Sequence, residues 1–349
     1  MRRTLGVAQR SDPLDREERA RLVPMLRRHV DGFTVERSAG VRTELEDERM
    51  LAAYLAYYGA RSFAVSQLMA RAYGVDGEDV LELGCGPGSA GLALLSSNPG
   101  ARWQVVEPSR RAVAMAGSLA GALGLVTPEL VATDIRDLHR RPLHARTVIA
   151  FNTVNEWPLT SDEKIALLSH LVAALPPEGI LLVVEPALRQ TARALSALRD
   201  GLLAAGHVVR GPCTHALPCP MLRRRRDFCH GRLHLDLPED LLALGDEAGH
   251  LRLAAADLAT LVVARAGPPR HSSYRVVGDV LCEKGRDRLF VCGKGELTEL
   301  SVQTGRRHAG ADWLRGLKRG DVLDLDAVPG ETVHRVLAAD ALHHSGWLP

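Results

Sequence analysis

Of the six cysteines in this 349-residue chain, three crowd into one stretch, at Cys213, Cys219 and Cys229. They stand in Pro212-Cys213-Thr214-His215, Cys219-Pro220 and Phe228-Cys229-His230. This spacing offers three thiolates and asks for a fourth ligand. Zinc is satisfied by three cysteines and a histidine, here His215 or His230. A cubane iron–sulfur cluster takes four thiolates, and Cys282 and Cys292 are the distant candidates for the fourth. The spacing matches neither a standard zinc finger nor the bacterial ferredoxin run, so the residues alone leave the metal open. Proline, histidine and arginine surround these thiols, poor company for buried apolar cysteine.

Just before Cys229 comes Arg223-Arg224-Arg225-Arg226, with Arg232 just after. Held on an ordered loop, such guanidinium groups contact RNA phosphates; the bland alternative is a solvated charge run. The formal net charge of +2 gives no global signature of nucleic-acid binding, so any RNA contact must rest on a local patch of this kind.

Upstream, Val80-Leu81-Glu82-Leu83-Gly84-Cys85-Gly86-Pro87-Gly88 ends an apolar run and opens a helix-like segment. Glycines there permit positive φ and let the backbone approach a ligand closely, and the helix start adds free N–H groups. The pattern is G-x-G-x-G rather than the dinucleotide G-x-G-x-x-G. It resembles motif I of class I S-adenosylmethionine-dependent methyltransferases, which implies that Glu82, Gly84, Gly86 and Gly88 bracket the methionine part of the cofactor. Glu107 ends the next apolar run and suits the ribose hydroxyls; Asp134 follows the third and fits the position that contacts the adenine amino group. Cys85 reads as a small buried filler.

The fourth run ends in Phe151-Asn152-Thr153-Val154-Asn155-Glu156-Trp157-Pro158. By the same resemblance this segment faces the transferred methyl group. It lacks the Asn/Asp-Pro-Pro-aromatic tetrad of many nucleic-acid amino methyltransferases. Asn152, Asn155 and Glu156 are the candidates for positioning an acceptor, with a polar strand-end cap as the equal alternative.

The elements that must position these groups follow from apolar periodicity. Residues 17–73 read as helices, within an N-terminal helical region 1–75. Short apolar runs at 79–83, 103–107, 129–132, 147–151, 180–185, 207–210 and 258–264 alternate with helical segments at 89–97, 110–123, 161–174 and 191–205. This alternation predicts an α/β, Rossmann-like core over 76–266, with a parallel sheet covered on both faces and a cysteine-rich metal insertion at 211–256. After Gly267-Pro268-Pro269 the runs at 274–277, 280–282, 288–292 and 321–325 predict a small β-rich module over 270–349.

The first 21 residues are acidic in part and carry no apolar run, unlike a signal or transit peptide. The best apolar run, Ile180 to Val184, falls far short of the ~20 residues that span a bilayer. A cytoplasmic protein without a membrane partner is expected, its thiols reduced, so that clustered cysteines suggest metal before disulfide. Nothing in the sequence marks an oligomeric state.

Taken together, the three cysteine motifs resemble the signature of the Rsm-type methyltransferase-like proteins of the ribosomal small subunit. The likeness runs from Tyr54 through the glycine turn and Val184-Glu185-Pro186 to the region of Cys282. It implies S-adenosylmethionine binding, a four-cysteine [4Fe–4S] cluster on Cys213, Cys219, Cys229 and Cys282, and the small ribosomal subunit or its rRNA as partner. Two departures stand out: Phe228 where tryptophan is expected, and Glu185-Pro186-Ala187-Leu188 in place of Glu-Pro-Gly-Thr. Three readings follow: an rRNA methyltransferase, a non-catalytic assembly or RNA-binding factor, and a small-molecule methyltransferase with structural zinc.

Overall fold

The computed structural model describes residues 13–34, 48–75, 77–249, 253–267, 273–303, 309–324 and 343–345. The chain divides into two compact units, one of residues 1–141, 145–153 and 233–256, the other of 142–144, 154–232 and 257–349.

The N-terminal stretch forms α1 (Arg16–Thr34), α2 (Glu48–Tyr54) and α3 (Ala60–Tyr73), with a π turn at Leu55–Gly59 joining the last two. Residues 35–47, part of the expected helical run, lie outside the described residues. Strands and helices then alternate as β1 (Val80–Leu83), α4 (Ser89–Leu95), β2 (Trp103–Val106), α5 (Arg110–Ala122), β3 (Glu129–Leu130) and β4 (Thr147–Phe151). Next come α6 (Ser161–Ala174), β5 (Ile180–Pro186), α7 (Arg189–Ala204) and β6 (Val208–Gly211). Past the thiol stretch lie β7 (Gly231–His234), α8 (Glu239–Glu247) and β8 (Ala255–Ala264).

In the first unit the strand order is β3-β2-β1-β4, all parallel. Every residue of β1 and β4 is buried, as befits strands covered on both faces. In the second unit β8 lies between β5 and β6 and runs antiparallel to both, so the sheet is mixed where the alternation predicted parallel strands. The expected insertion also splits. Residues 211–232 stay with the second unit, whereas 233–256 join the first. There α8 shares an apolar cluster with α1 and α2 through Leu22, Leu26, Ala53 and Leu244, and Asp240 accepts the Leu14 N–H at 2.7 Å. Helix α6 is fixed at its start by a reciprocal pair: Thr160 Oγ1 accepts the Glu163 N–H, and Glu163 accepts the Thr160 N–H. No helix among the described residues is long and apolar enough to cross a membrane.

The C-terminal module contains β9 (Ser273–Val276), β10 (Leu281–Glu283), β11 (Arg286–Gly293), β12 (Glu296–Gln303), α9 (Ala309–Gly316), β13 (Val322–Asp324) and β14 (His343–Ser345). Strands β9 and β10 pair with opposite ends of β11, through Arg275↔Cys292 and Cys282↔Asp287, and so act as two halves of one bent strand. Counting them as the first strand, the order is third, second, first, fourth, fifth: β12 on β11, β9 on both β11 and β13, and β14 on β13. A helix between third and fourth strands completes the topology of an OB-type barrel. Its core is Tyr274, Val276, Leu289, Val291, Leu300, Leu314 and Leu323. Residues 268–272, where the linker was expected, and 325–342 lie outside the described residues.

Candidate functional site

The glycine turn runs from the end of β1 to the start of α4. Gly84, Gly86 and Gly88 have φ of +66°, +51° and +80°. They need glycine for different reasons. A Cβ on Gly84 would sit 2.2 Å from Thr153 Oγ1, and one on Gly88 2.6 Å from the Trp103 ring; around Gly86 the space is open. The Gly86 N–H donates to Glu107 Oε2 at 2.9 Å, and Ser109 N–H donates to Glu107 Oε1 at 2.9 Å. Glu107, just past the end of β2, therefore sits at the turn.

Glu82 does not. It is 1% exposed and accepts hydrogen bonds from the Gly91 N–H and from Trp103 Nε1. Burial pushes its carboxyl up to about 8, so it braces β1 against α4 and β2 as a neutral acid instead of facing a ligand. Asp134 caps the turn Ile135–Arg140 and pairs with Arg136 at 2.9 Å. It borders an open cavity of about 480 Å³ with Thr133, Asp137, Arg140 and Arg141. Cys85 is buried, and burial raises its thiol well above the ordinary value, as suits an inert filler.

Beyond β4, Asn152 takes φ +54°, an uncommon conformation for a residue other than glycine. Asn155 and Glu156 are exposed. The Asn155 backbone N–H donates to Glu185 Oε1 at 3.2 Å, and its side-chain amide donates to Glu185 Oε2. Glu185, at the end of β5, is 1% exposed, and burial lifts it to about 7 against the pull of Asn155. Its anchoring of the Asn155 loop had no signal in spacing; an acid closing an apolar strand was the only hint.

The thiol stretch is shaped by helix α7. Arg193 Nη1 donates to the carbonyls of Met221, Arg224 and Asp227 at 2.7–2.9 Å, and its Nη2 to Leu222 O at 3.2 Å. Arg199, 2% exposed, donates to the carbonyls of His215 and Leu217 and pairs with Asp200 at 2.6 Å. Asp200 in turn accepts the Cys219 N–H at 2.9 Å. Two arginines on an otherwise leucine-rich buried face were the missed signal: Arg199 is flanked by the buried Leu195, Leu198 and Leu202.

Cys219, Cys229 and Cys292 belong to one cluster with Met221, Leu222, Val277, Phe290 and Leu297. Cys292 Sγ lies 3.5 Å from His215 Nε2, and Arg275 donates to Cys229 Sγ at 3.3 Å. All six cysteines are free. Burial first, and then the nearby Cys213 and Cys229, push Cys219 up to about 11 and raise Cys292 further. Burial likewise raises Cys213, with Arg199 opposing it. His215 and His230 are lowered to about 4, mainly by burial.

The fourth thiol of this group is thus Cys292. Cys282 is exposed on β10, and its neighbour across the ladder is Asp287 rather than any of the clustered thiols. The barrel turns alternate residues of β11, Phe290 and Cys292, toward the thiol stretch, and not Cys282 of β10. Among the described residues, no three His, Cys, Asp or Glu side chains are arranged to hold a metal ion. The thiols as they stand do not fit one zinc. Cys219 is buried and Cys213, Cys229 and Cys292 are half-buried, and burial holds Cys213, Cys219 and Cys292 above the ordinary thiol value.

Arg223 pairs with Glu296 at 3.0 Å and Arg232 with Asp257 at 2.7 Å, so two of the five arginines expected to meet phosphate are engaged within the protein. Arg224, Arg225 and Arg226 are exposed.

A family model described as mitochondrial small ribosomal subunit Rsm22 matches residues 49–323. Curated relatives include the trans-aconitate 2-methyltransferase of Enterobacter sp. (strain 638), 33% identical over 135 residues, which are 38% of this chain and 49% of the relative. The enzyme of the same name from Escherichia coli (strain K12 / DH10B) is 32% identical over 133 residues, again 38% and 49%. The chain spans about half the length of the curated relatives it matches. Among solved structures, the plantazolicin methyltransferase BpumL with SAH aligns at a TM-score of 0.40 and 12% identity, covering 72% of this chain and 98% of that one. Magnesium protoporphyrin IX methyltransferase from Synechocystis PCC 6803 aligns at 0.38 and 14%, covering 74% and 100%.

Proposed function

The chain belongs to the mitochondrial small ribosomal subunit Rsm22 family, and on that premise we propose an S-adenosylmethionine-binding, methyltransferase-like protein that acts on the small ribosomal subunit and carries a thiolate-held iron–sulfur cluster. The observation that carries the reading is the glycine turn, with three glycines at positive φ and Glu107 tied to the Gly86 N–H. Bound S-adenosylmethionine supplies an activated methyl group. The chain's part is alignment. Gly84 and Gly88 set the bend of the turn, Gly86 leaves open space for the methionine end, Glu107 takes the ribose hydroxyls, and Asp134 takes the adenine amino group. We assign Asn152, Asn155 and Glu156 to positioning the acceptor, and rRNA is the methyl acceptor. A cytoplasmic setting, where thiols stay reduced, suits the unpaired cysteines.

Cys213, Cys219, Cys229 and Cys292 are the ligands we assign to a [4Fe–4S] cluster, a reading supported by the packing of Cys219, Cys229 and Cys292 in one cluster with Cys213 close by. Its role is structural. A second reading, assembly without methyl transfer, draws support from Asn155, whose amide is already committed to Glu185.

Anaerobic purification with iron, sulfide and zinc analysis tests the cluster. Brown protein with iron and sulfide is expected; Cys292→Ser should lose most of the iron and Cys282→Ser should keep it. Colourless protein holding one zinc would refute the cluster. Transfer of labelled methyl from S-adenosylmethionine to small-subunit rRNA separates the enzyme from the assembly factor, and donor binding without transfer selects the second.

A further inference from the structure

In OB-type barrels the outer face of the second and third strands receives oligonucleotides, with bases stacked on exposed aromatic side chains. Here the second strand is β11, whose residues alternate strictly between half-buried and buried. Arg286, Arg288, Phe290 and Cys292 occupy the outer positions, opposite Gln303, Ser301, Glu299 and Leu297 of β12. One end of that face is filled by the chain itself: Phe290, Cys292 and Leu297 pack with Cys219, Met221, Leu222 and Cys229 of the thiol stretch. At the other end Arg288 is held by Glu283 at 2.6 Å and Arg286 by Glu283 at 3.5 Å, with Glu299 beside both. Neither half offers a free aromatic ring or an uncompensated cation.

Cations do gather at the rim. The β11–β12 hairpin tip carries Lys294, exposed and 5.8 Å from the centre of the Tyr274 ring. Arg223 reaches this tip, donating to Gly295 O at 3.2 Å and pairing with Glu296. Arg223 therefore joins the arginine run to the hairpin. Arg224, Arg225 and Arg226 stand next to it in sequence, exposed and without an acidic partner among the described residues. Their backbone is not free to wander, because Arg193 holds the carbonyls of Arg224 and Asp227. The result is a preset cationic edge on a rigid support.

We infer that RNA is held at this edge by its phosphates, through Arg224, Arg225, Arg226 and Lys294, and that the usual oligonucleotide face of the barrel takes no bases. The inference rests on the RNA partner proposed above and specifies how that partner is gripped. Binding of this kind is insensitive to sequence and steeply dependent on salt.

The test uses the full chain and fluorescence anisotropy with labelled single-stranded RNAs of about 16 nucleotides, all-uridine, all-adenosine and mixed. The three should bind alike. The variant Arg224→Ala/Arg225→Ala/Arg226→Ala should bind at least about tenfold more weakly at ~0.1 M salt, and its log K against log salt should flatten by about 2. Lys294→Ala should flatten it by a smaller amount, and Arg286→Ala/Arg288→Ala should change neither quantity. These side chains are exposed or ion-paired at the surface, and an unchanged melting temperature verifies the fold. If the β11 double variant weakens binding while the triple variant does not, or if one base is strongly preferred, the bases lie on the barrel face and the inference is wrong. Wild-type RNA binding that the triple variant retains in full also overturns it, leaving the RNA partner standing. A wild-type chain that binds no RNA at low salt removes the RNA partner itself.

Discussion

The glycine turn and the thiol stretch are both loops that follow a strand, yet they are built by opposite means. The turn's hydrogen bond is short-ranged: Gly86 to Glu107 spans 21 positions, and three glycines at positive φ set the bend. The thiol stretch is closed from afar: His215 meets Cys292 across 77 positions, and Arg193 reaches Asp227 across 34. A short-range loop can be recognised from a pattern of small residues. A long-range one needs a framework, and here the framework is helix α7 with its two inward arginines. The thiol stretch thus takes its shape in part from charge-assisted hydrogen bonds donated by the arginines of α7.

The largest expected effect comes from removing that framework. Arg199→Ala leaves the buried His215 carbonyl, the part-buried Leu217 carbonyl and the Asp200 carboxylate without their guanidinium, at a cost of about 3 kcal/mol. Arg193→Ala, whose acceptors are partly solvated, should cost about 2 kcal/mol. Urea unfolding midpoints measure both, and the rate at which a thiol reagent labels Cys219 should rise in parallel. Wild-type midpoints in Arg199→Ala would mean that the stretch is held by its thiols alone, and the contrast drawn here would fail.

On the side of the glycine turn, one position intolerant of a side chain lies just outside the motif. A Cβ at Gly91 would lie 2.3 Å from Glu82 Oε2 and 2.6 Å from Trp103 Nε1, inside fully buried surroundings. Gly91→Ala should therefore cost about 2–3 kcal/mol through overpacking. Gly86→Ala meets open space and carries only the strain of φ +51°, about 1 kcal/mol. A calorimetric ranking with Gly86 the more sensitive would show that the turn is governed by conformation and not by packing.

These two loops also mark what could be read from the sequence. Strands β1 and β4 were legible because fully buried strands leave near-continuous apolar runs. The antiparallel β8 was not, since an apolar run carries no direction. Glu82 was read as a ligand contact because the motif gives the position of an acid but not the side from which it is buried. Cys282 was preferred to Cys292 on likeness alone; only the register of β10 and β11 distinguishes an edge-strand residue from one turned inward. Arg193 and Arg199 went unnoticed because arginine in a helix ordinarily signals solvent.

The smallest effect concerns Glu82 and discriminates a bracing acid from a ligand-facing one. Its ordinary value of 4.5 rises to about 8 in the folded protein, so between those values the folded chain holds a proton that the unfolded chain has released. Stability from this group is full below pH 4.5 and is lost as the pH climbs through 8. Glu185, raised to about 7, adds a loss of the same sign up to that pH. His215 and His230, lowered to about 4 from 6.5, act oppositely between those two values. Between pH 7 and 8 Glu82 titrates most of these four, with a smaller remainder from Glu185. There Glu82 should cost the wild-type chain about 1 kcal/mol per pH unit, a loss that Glu82→Gln, which keeps the shape and cannot ionise, should escape, leaving a much shallower slope. Urea midpoints at pH 7 and 8 for both proteins decide the matter. An equal slope in the variant would mean that Glu82 is already ionised at neutral pH, and that its carboxylate faces charge or solvent as a ligand contact would.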